Sequence, residues 1–262
     1  MSSASNESLY REVARTLRDK IRDGVYPLGE KIPTEVELAE ELGVNRVLVN
    51  RALRVLRAEG WVRTHRGVGT FVRDLMPITR ETPARFSRSR REQGGAHGAF
   101  ASETAEQDLS YDTRTVIERV QPPHHVADLL GVSAEEVSVV MRARYMSVKA
   151  TPDGRTVPYQ IAITYVPLSI AEGTAIEEED TGVGGVSSRL ADLDHTQARL
   201  VEMIEVRPPE PDEAKFLALT EDHRVFDLIH LGITRDGQVV KVTTFVIPTH
   251  LAKLRYQVEL ED

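Results

Sequence analysis

Arginine is concentrated in one short stretch of the chain. Residues 46–73 contain seven arginines and a single acidic residue, Glu59, so the formal charge of this stretch is 7 − 1 = +6. A guanidinium group donates in a fork that matches phosphate oxygens and the guanine edge. This density therefore predicts contact with a polyanion, and with duplex DNA if the side chains share one surface. The seven residues are Arg46, Arg51, Arg54, Arg57, Arg63, Arg66 and Arg73.

The sign of the charge changes along the chain. The net charge of −8 argues at first sight against a nucleic acid as partner. Residues 1–74, however, hold 13 basic and 11 acidic side chains, whereas residues 75–262 hold 20 and 30. If the arginines contact phosphates, binding should weaken with salt at a log–log slope of about −0.9 per phosphate. The alternative, a solvated helix face, predicts no such slope.

The residues that carry these arginines form a helix-turn-helix pattern. Thr34 and Glu37 predict a capping box that begins one helix, and Gly43 predicts its end. Asn45 is the predicted cap of the next helix. Apolar residues at helical spacing predict a buried stripe along it, formed by Leu48, Ala52, Val55 and Leu56. The rest of its surface carries Arg46, Asn50, Arg51, Arg54 and Arg57. An ordinary helical bundle is the alternative interpretation.

Two further segments complete a small domain around these helices. Residues 9–22 carry apolar side chains at intervals of four, which predicts a first helix with one face in the core. Residues 61–72 are two short β-rich runs around a glycine-containing turn, which predicts a hairpin. Arg63, His65 and Arg66 lie near its tip. We therefore expect this wing to lie beside the second helix and to reach an adjacent groove.

Residues 8–72 resemble the winged-helix domain of GntR-type bacterial transcription regulators. The matching segments are Gly24 to Glu35, Leu38-Ala39, Leu42 to Arg46, Ala52-Leu53, Leu56, Glu59-Gly60 and Gly67 to Val72. The resemblance assigns base and phosphate contacts to Thr34, Glu35, Arg46, Asn50, Arg51 and the tip from Gly67 to Gly69. Asn45, Arg54, Arg66 and Thr70 complete the predicted DNA-binding set.

The second helix departs from the usual family pattern. That pattern is Ser-Arg, any residue, Thr-Val-Arg, whereas residues 45–50 here read Asn-Arg-Val-Leu-Val-Asn and keep only the first arginine. Arginine pairs best with guanine and asparagine with adenine. The operator is therefore expected to differ from the common sequence of the family.

Composition limits the other possibilities. The 262 residues fit two domains, and the chain is 40% hydrophobic without a long apolar run, so no membrane span is expected. The polar residues 1–8 do not resemble a signal peptide, and we expect a cytoplasmic protein that reaches the nucleoid through its operator. The absence of cysteine excludes disulfides and thiol catalysis. No metal or cofactor is predicted.

The second half predicts an α+β domain in which antiparallel strands alternate with short helices. Strands are predicted at 113–120, 137–148, 157–166, 200–206, 225–233 and 239–247, helices at 124–130 and 211–219, and turns at 152–154 and 236–237. Pro77 and Pro83 favour a semi-rigid linker over residues 75–84. The predicted domains are thus residues 1–74 for DNA binding and 85–262 for effector binding and dimerisation.

This second part resembles the effector-binding (UTRA) domain of the HutC subfamily, whose fold resembles chorismate lyase. The resemblance covers roughly residues 85–256 and rests on Arg142 to Arg144, Pro158, Thr164 to Pro167, Glu202 to Ile204 and Asp236-Gly237. In relatives, paired strand arginines hold an anion, a role that would pass to Arg142 and Arg144. The predicted effector-binding set is Phe86, Ser87, Arg88, Arg142, Arg144, Ala162, Thr164, Ser187 and Glu202.

One alternative stays open for these two strand arginines. Arg142 and Arg144 could instead pair internally with acids such as Glu118 or Glu202. The basic run at residues 85–91 is interpreted as a segment that leads into the domain or faces the ligand, with a second DNA contact as the alternative.

Three expected pocket positions differ from the sugar-phosphate-binding relatives. Ala162 and Lys241 stand where those relatives have glutamates, and Ser187 stands where they have a tyrosine. Fewer partners then remain for ligand hydroxyls. We therefore expect an effector that is less sugar-like, such as an apolar acid or a bulky secondary metabolite.

The sequence predicts a homodimeric repressor that a small molecule releases from double-stranded operator DNA. A lyase-like enzyme is one alternative, but the eight histidines are scattered, and no nucleophile elbow, phosphate loop or dinucleotide fingerprint is present. We therefore expect no catalytic residues. A DNA-binding protein without ligand control is the other alternative, and it would leave the larger part of the chain without a role.

Overall fold

The computed structural model describes residues 2–65, 67–82, 84–149 and 156–258, and the side chains from residue 9 onward. Arg66 at the wing tip, Pro83 in the expected linker and the expected turn at 152–154 lie outside the described residues. The described chain forms two compact units. One holds residues 2–77 with 220–223, and the other holds 78–149, 156–219 and 224–258.

The first unit contains three helices and a hairpin. They are α1 (Ser2–Arg22), α2 (Glu35–Leu42), α3 (Arg46–Ala58), β1 (Val62–His65) and β2 (Gly69–Val72). The strands β1 and β2 pair antiparallel, as predicted for the wing. The helix α1 begins earlier than the predicted residue 9.

Local capping fixes where α2 and α3 begin and end. The Thr34 hydroxyl accepts from the Glu37 amide at 3.3 Å, and the Thr34 amide donates to the Glu37 carboxylate at 2.7 Å. Gly43 ends α2 in the left-handed conformation, with φ 64°. The Asn45 side chain accepts from the Leu48 amide at 3.0 Å. The predicted capping box, glycine stop and second cap are confirmed.

The three helices of this unit pack around one apolar core. Its buried members include Leu17 of α1, Leu38 of α2 and Leu56 of α3. The predicted stripe of α3 is buried except for Val55, which is partly buried. The apolar face of α3 is turned into this core, and its opposite face, with Arg46, is left to solvent.

The second unit is built on a six-stranded antiparallel sheet. In chain order its elements are β3 (Ile78–Thr82), α4 (Arg88–Arg91), α5 (Ala99–Ala105), β4 (Ser110–Val120), α6 (His124–Leu130), β5 (Val139–Lys149), β6 (Thr156–Pro167), α7 (Leu168–Ala171), α8 (Gly185–Asp192), β7 (Gln197–Arg207), α9 (Pro211–Phe216), β8 (Val225–Thr234), β9 (Val239–Pro248) and β10 (Ala252–Tyr256). The order across the sheet is β4-β5-β6-β9-β8-β7. Together with the first unit this gives the predicted α+β class.

The expected linker over residues 75–84 was partly wrong. Within it, β3 is a strand that pairs in parallel with β10, and Ile78 of β3 and Ala252 of β10 are both buried. The two compact units divide between Pro77 and Ile78. No local sequence pattern indicates this pairing, because the partner strand lies some 170 residues downstream. The expected helix at 211–219 is also shorter, since Ala218 takes a φ of 54° and α9 ends at Phe216.

Strand register decides which side chains share a face of the sheet. Arg142, Thr164, Thr243, His230 and Glu202 are cross-strand partners in one row, so they project from the same face. The opposite face is apolar and is partly covered by α6 and α9. Within the described residues, no helix has the length and apolar character needed to cross a membrane.

Candidate functional site

The start of α3 and the start of α2 share one polar network on the surface of the first unit. The Glu35 carboxylate accepts from Arg46 Nε and from Asn50 Nδ2, each at 2.8 Å. These two hydrogen bonds hold the pKa of Glu35 below its usual range, so it stays ionised. Arg46 remains 69% exposed, with the outer end of its guanidinium free to meet a base edge or phosphate.

Further along α3, the exposed cationic surface continues with Arg51 and Arg54. The Arg51 guanidinium lies 4.5 Å from the ring centroid of Tyr10 in α1. Stacking on an aromatic ring orients an arginine without neutralising it. The arginines of this face therefore keep their charge available to a polyanion.

The wing is a tight hairpin with an exposed tip. Gly67 has a φ of 77°, and Gly69 has a φ of 146° with Lys31 so close that a Cβ there would lie 2.4 Å from Lys31 Cε. Both positions therefore favour glycine. The hydroxyls of Thr64 and Thr70 lie 3.2 Å apart across the strands. The backbone at the tip can thus approach a phosphate closely.

Arg73 and Arg63 do not belong to this exposed surface. Arg73 is only 6% exposed, and its guanidinium carbon lies 3.5 Å from the Trp61 ring centroid. Burial lowers the pKa of Arg73 to about 10. Arg63 is half-buried and pairs with Asp74 at 2.8 Å. The expectation that all seven act together on DNA was therefore wrong for Arg73, because charge counting does not reveal an arginine stacked in the core.

The second unit holds a cavity of about 400 Å³ on the face of the sheet that carries Arg142 and Arg144. Part of its lining is apolar or aromatic, from Phe86, Phe100, Tyr111, Met146 and Phe245. Its polar lining includes Arg85, Arg91, Thr113, Arg142, Arg144, Gln160, Thr164, Glu179, Asp180, Ser187, His230, Lys241 and Thr243. A cavity of this size, lined by both aromatic surfaces and converging polar groups, suits a small organic ligand.

Arg142 supports the cavity wall. Its Nη1 donates to the carbonyls of Ile176, at 2.6 Å, and Glu178, and its Nη2 donates to the carbonyl of Glu179 at 3.0 Å. Its guanidinium is therefore used to hold residues 176–179 against the sheet. The alternative of an acid partner such as Glu118 or Glu202 does not apply, since the partners are backbone carbonyls.

Arg144 is the strand arginine that remains available inside the cavity. Its one hydrogen bond among the described residues is a long one from Nη2 to the Thr164 hydroxyl, at 3.4 Å, and its buried Nε has no partner there. Burial, followed by repulsion from Arg142 and Arg85, lowers the pKa of Arg144 to about 10. The group stays charged at neutral pH and is poised for an anion.

Lys241 faces the same cavity from β9. It is 6% exposed, and its Nζ donates to the Ser187 hydroxyl at 2.7 Å. Two of the positions at which the sequence departs from its relatives are thus in direct contact. Lys241 was an expected pocket position but was left out of the predicted effector-binding set; the sign change from glutamate to lysine was the available signal.

Arg85, Arg91 and His230 also line the cavity. None of them was in the predicted effector-binding set, although the run at residues 85–91 was interpreted as a segment that leads into the domain or faces the ligand. Arg85 pairs with the buried Glu103 at 3.2 Å. The His230 ring stacks at a tilt on Phe86, 4.2 Å between centroids, and burial lowers its pKa to about 3. His230 is therefore neutral, and its contribution to the lining is that of a flat ring.

Of the predicted effector-binding residues, five line the cavity and four do not. Phe86, Arg142, Arg144, Thr164 and Ser187 line it. Ser87 caps α4 and Arg88 pairs with Glu92 and Asp192; both line an adjoining hollow. Ala162 shares the row of Arg144 and Phe245 but is fully buried.

The prediction that Glu202 contacts the ligand was wrong, because its carboxylate is engaged by other side chains. Its carboxylate accepts from Arg80 Nη2 at 2.6 Å and from the Tyr256 hydroxyl at 2.9 Å. Arg80 and Glu202 are 1% and 4% exposed, so this is a buried ion pair that ties β3 and β10 to β7. Glu202 was predicted as a contact from the family resemblance; it does lie in the same row as Arg142, but β3, missed in the sequence, covers it.

Fold and site together define a class: a two-domain transcriptional regulator with a winged helix-turn-helix and a sheet domain that holds a ligand-sized cavity. Residues 9–72 match the family described as "Bacterial regulatory proteins, gntR family", and residues 106–251 match the UTRA domain. An HTH-type transcriptional regulator of Streptomyces coelicolor is 32% identical over 248 residues, covering 92% of this chain and 88% of that protein. The chain belongs to the GntR family of regulators and carries a UTRA domain; it is not an enzyme.

Other comparisons agree with this assignment. The histidine utilization repressor of Pseudomonas putida is 44% identical over 64 residues, which is 24% of this chain and 26% of that protein. The crystal structure of PhnF from Mycobacterium smegmatis has the same fold, with a TM-score of 0.57 at 20% identity over 97% of this chain and 100% of that chain. The family implies DNA binding by the first domain and small-molecule binding by the second.

Proposed function

We propose that this protein is a homodimeric repressor of the HutC subfamily that leaves its operator when an organic anion occupies the cavity of the second domain. The observation that carries the proposal is Arg144, a half-buried guanidinium that lines the cavity without a carboxylate partner among the described residues. A buried charge without a partner is costly unless a ligand supplies one. The effector is accordingly an acid with an apolar or aromatic body.

On the DNA side, the proposal assigns base reading to Arg46 and Asn50 and phosphate contacts to Arg51, Arg54 and the wing tip. Thr34, Glu35 and Asn45 act at the helix starts that carry these groups, through their caps and the shared Glu35 carboxylate. Because Asn50 replaces the second arginine of the family pattern, the operator should contain an adenine where relatives read guanine.

The dimer is proposed to form through the apolar face of the sheet near its β7 edge. Val201 and Met203 project from that face and are 41% and 42% exposed, although they adjoin the partly buried Ile229. Large apolar side chains exposed side by side on a sheet favour association. A two-fold dimer would present two winged helices to half-sites about one helical turn apart.

The test of the regulatory role starts from the DNA that the purified full chain retains from its own genome. Sequencing should return a short two-fold symmetric site upstream of few genes, and metabolites related to those genes should then lower operator binding. Retention of DNA without sequence preference would contradict the proposal. Undiminished operator binding with the cavity shown to be occupied would favour DNA binding without ligand control.

Dimerisation is tested by sedimentation of the wild type and the Met203→Lys variant. The wild type should be a dimer, and burying a new charge at the interface should weaken the variant dimer, so that it dissociates at concentrations at which the wild type remains a dimer. Val25→Lys, at an exposed apolar residue of the first unit, is the matched control and should leave the dimer intact. A wild-type monomer at concentrations that bind DNA would contradict the dimer.

A further inference from the structure

Lys241 is a buried amine whose surroundings are cationic. No carboxylate of the described residues lies within ion-pairing distance of it, and its hydrogen-bond partner is the neutral hydroxyl of Ser187. The charged or titratable groups that face it from neighbouring elements are Arg85, Arg91 of α4, Arg144 of β5 and His230 of β8, of which His230 is neutral. An ammonium at this position is therefore desolvated and repelled in the empty cavity.

The acidic residues of the cavity wall are engaged elsewhere. Asp180 accepts from the Gly182 amide at 2.8 Å and lies 2.8 Å from His97 Nδ1. Glu179 contributes its backbone carbonyl to Arg142, and its side chain is exposed. Neither carboxylate lies within ion-pairing distance of Lys241 or Arg144. Arg144 and Lys241, two basic groups of the same cavity, therefore have no carboxylate partner among the described residues.

We propose that Arg144 and Lys241 bind an effector that carries two negative charges, and that Lys241 is the residue that distinguishes such dianions from monoanions. The inference rests on the proposed effector role of the cavity and narrows the effector to a dianionic compound with an apolar or aromatic body. Phe86 and Phe245, which line the cavity, provide surfaces for that body. Phosphate monoesters and dicarboxylates share this chemistry.

The protonation state of Lys241 can be measured, as proton uptake on ligand binding. Burial first, and then repulsion from Arg144, Arg91 and Arg85, lowers the pKa of Lys241 to about 7. Above that pH, the Lys241 amine of the ligand-free protein is neutral. An anion beside it favours the ammonium form. Binding should then transfer one proton from solvent to the Lys241 nitrogen at about pH 8, and far less at about pH 6, where the amine is already protonated.

Three probes built on one benzene ring separate charge from shape: isophthalate, phenyl phosphate and benzoate. Calorimetric titration of the full chain at about pH 8 should show that at least one dianion binds roughly tenfold or more tightly than benzoate. Which dianion binds better decides between two carboxylates and one phosphate. Titration of isophthalate in two buffers of different ionisation enthalpy should give an uptake of about one proton.

Two substitutions test the role of Lys241 itself. Lys241→Met should reduce the preference for the dianion to near unity and abolish the proton uptake. Lys241→Arg keeps the charge without titrating near neutral pH, so it should retain dianion binding but not the uptake. Thermal unfolding of both variants establishes that they are folded. A residue that only shaped the cavity would not change the proton count.

The outcomes separate this inference from the proposed function. Benzoate binding as tightly as both dianions, or proton uptake that persists in Lys241→Met, would overturn the inference while leaving an effector cavity in place. A lack of saturable binding of all three probes at millimolar concentrations would overturn it as well, because Arg144 and a Lys241 that becomes protonated on binding should hold a small aromatic dianion. The proposed function fails separately, if genome-derived operators do not respond to any cavity ligand.

Discussion

The DNA-binding surface of α3 and the interior of the effector unit use arginine in opposite ways. On the DNA-binding unit, Arg46 is 69% exposed and Arg51 and Arg54 are also on the surface. In the effector unit, Arg80, Arg85 and Arg142 are 1%, 4% and 2% exposed. An exposed guanidinium in water exchanges small counterions for phosphates, whereas a buried one must be satisfied continuously by the fold or by a ligand.

This contrast explains which positions the sequence could identify. An exposed arginine acts through charge density, and charge density can be counted along a chain. A buried arginine acts through partners that the fold brings to it, such as the carboxylate of Glu202 for Arg80 or three carbonyls for Arg142. The variants described below test whether exposed and buried arginines differ in this way.

The largest effect is expected at the buried pair of Arg80 and Glu202. Glu202→Ala leaves a desolvated guanidinium without its carboxylate and should lower the free energy of unfolding by about 3–5 kcal/mol. Denaturant unfolding measures it. The matched control is Glu172→Ala, which removes the 2.7 Å partner of the exposed Arg119. That solvent-exposed pair should contribute far less to stability. Equal losses would remove the distinction between the two kinds of ion pair.

Lys241→Met should stabilise the ligand-free protein by roughly 1–4 kcal/mol, the range seen when buried ionic groups give way to apolar ones. The folded pKa is about 7, below the ordinary 10.5, so the folded state binds fewer protons than the unfolded chain between these values. Wild-type stability should therefore rise with pH through that window, and the advantage of the variant should be largest below about pH 7.

Denaturant unfolding of Lys241→Met at several pH values, compared with the wild type, measures this effect. The exposed Lys253→Met is its matched control and should change stability little at every pH. A constant difference between Lys241→Met and the wild type across the window would mean that Lys241 does not titrate abnormally.

Arg46→Met should weaken operator binding by about 1–3 kcal/mol and relax the preference at one base position, without affecting stability. Fluorescence anisotropy with the genome-derived site and with single-base variants measures both effects. Arg22→Met, an exposed arginine of α1 that pairs with Asp19, changes the net charge identically. It should leave affinity nearly unchanged. A uniform loss across all sequences would instead make Arg46 a phosphate contact.

The smallest effect is expected for Glu35→Gln. Removing this negative charge should raise affinity for non-specific DNA slightly, while loosening Arg46 and Asn50, which now share its carboxylate. The ratio of specific to non-specific affinity should fall, by less than about tenfold. Glu40→Gln, an exposed acid on the same helix, removes the same charge and should keep the ratio. If the two variants behave identically, Glu35 acts only through its negative charge and does not position Arg46 and Asn50.

Local rules predicted the first unit well. Caps, a glycine stop and an apolar period depend on residues within a few positions of each other, and Thr34, Gly43 and Asn45 act as those rules require. Register placed Arg142, Arg144, Thr164 and Glu202 on one face, as alternation along a strand predicts. What could not be predicted was occlusion: β3 covers Glu202, and residues 176–179 occupy Arg142, through contacts that no local pattern contains.

The parallel pairing of β3 with β10 has a consequence for how the chain is made. Residues 2–77 leave the ribosome with all the helices and the hairpin of their unit present, apart from the short segment 220–223. The strand that follows at once, β3, must wait for residues 252–256 before its hydrogen bonds can form. During synthesis, the DNA-binding unit of a nascent chain can thus be folded while Arg80 of the effector unit is not yet buried.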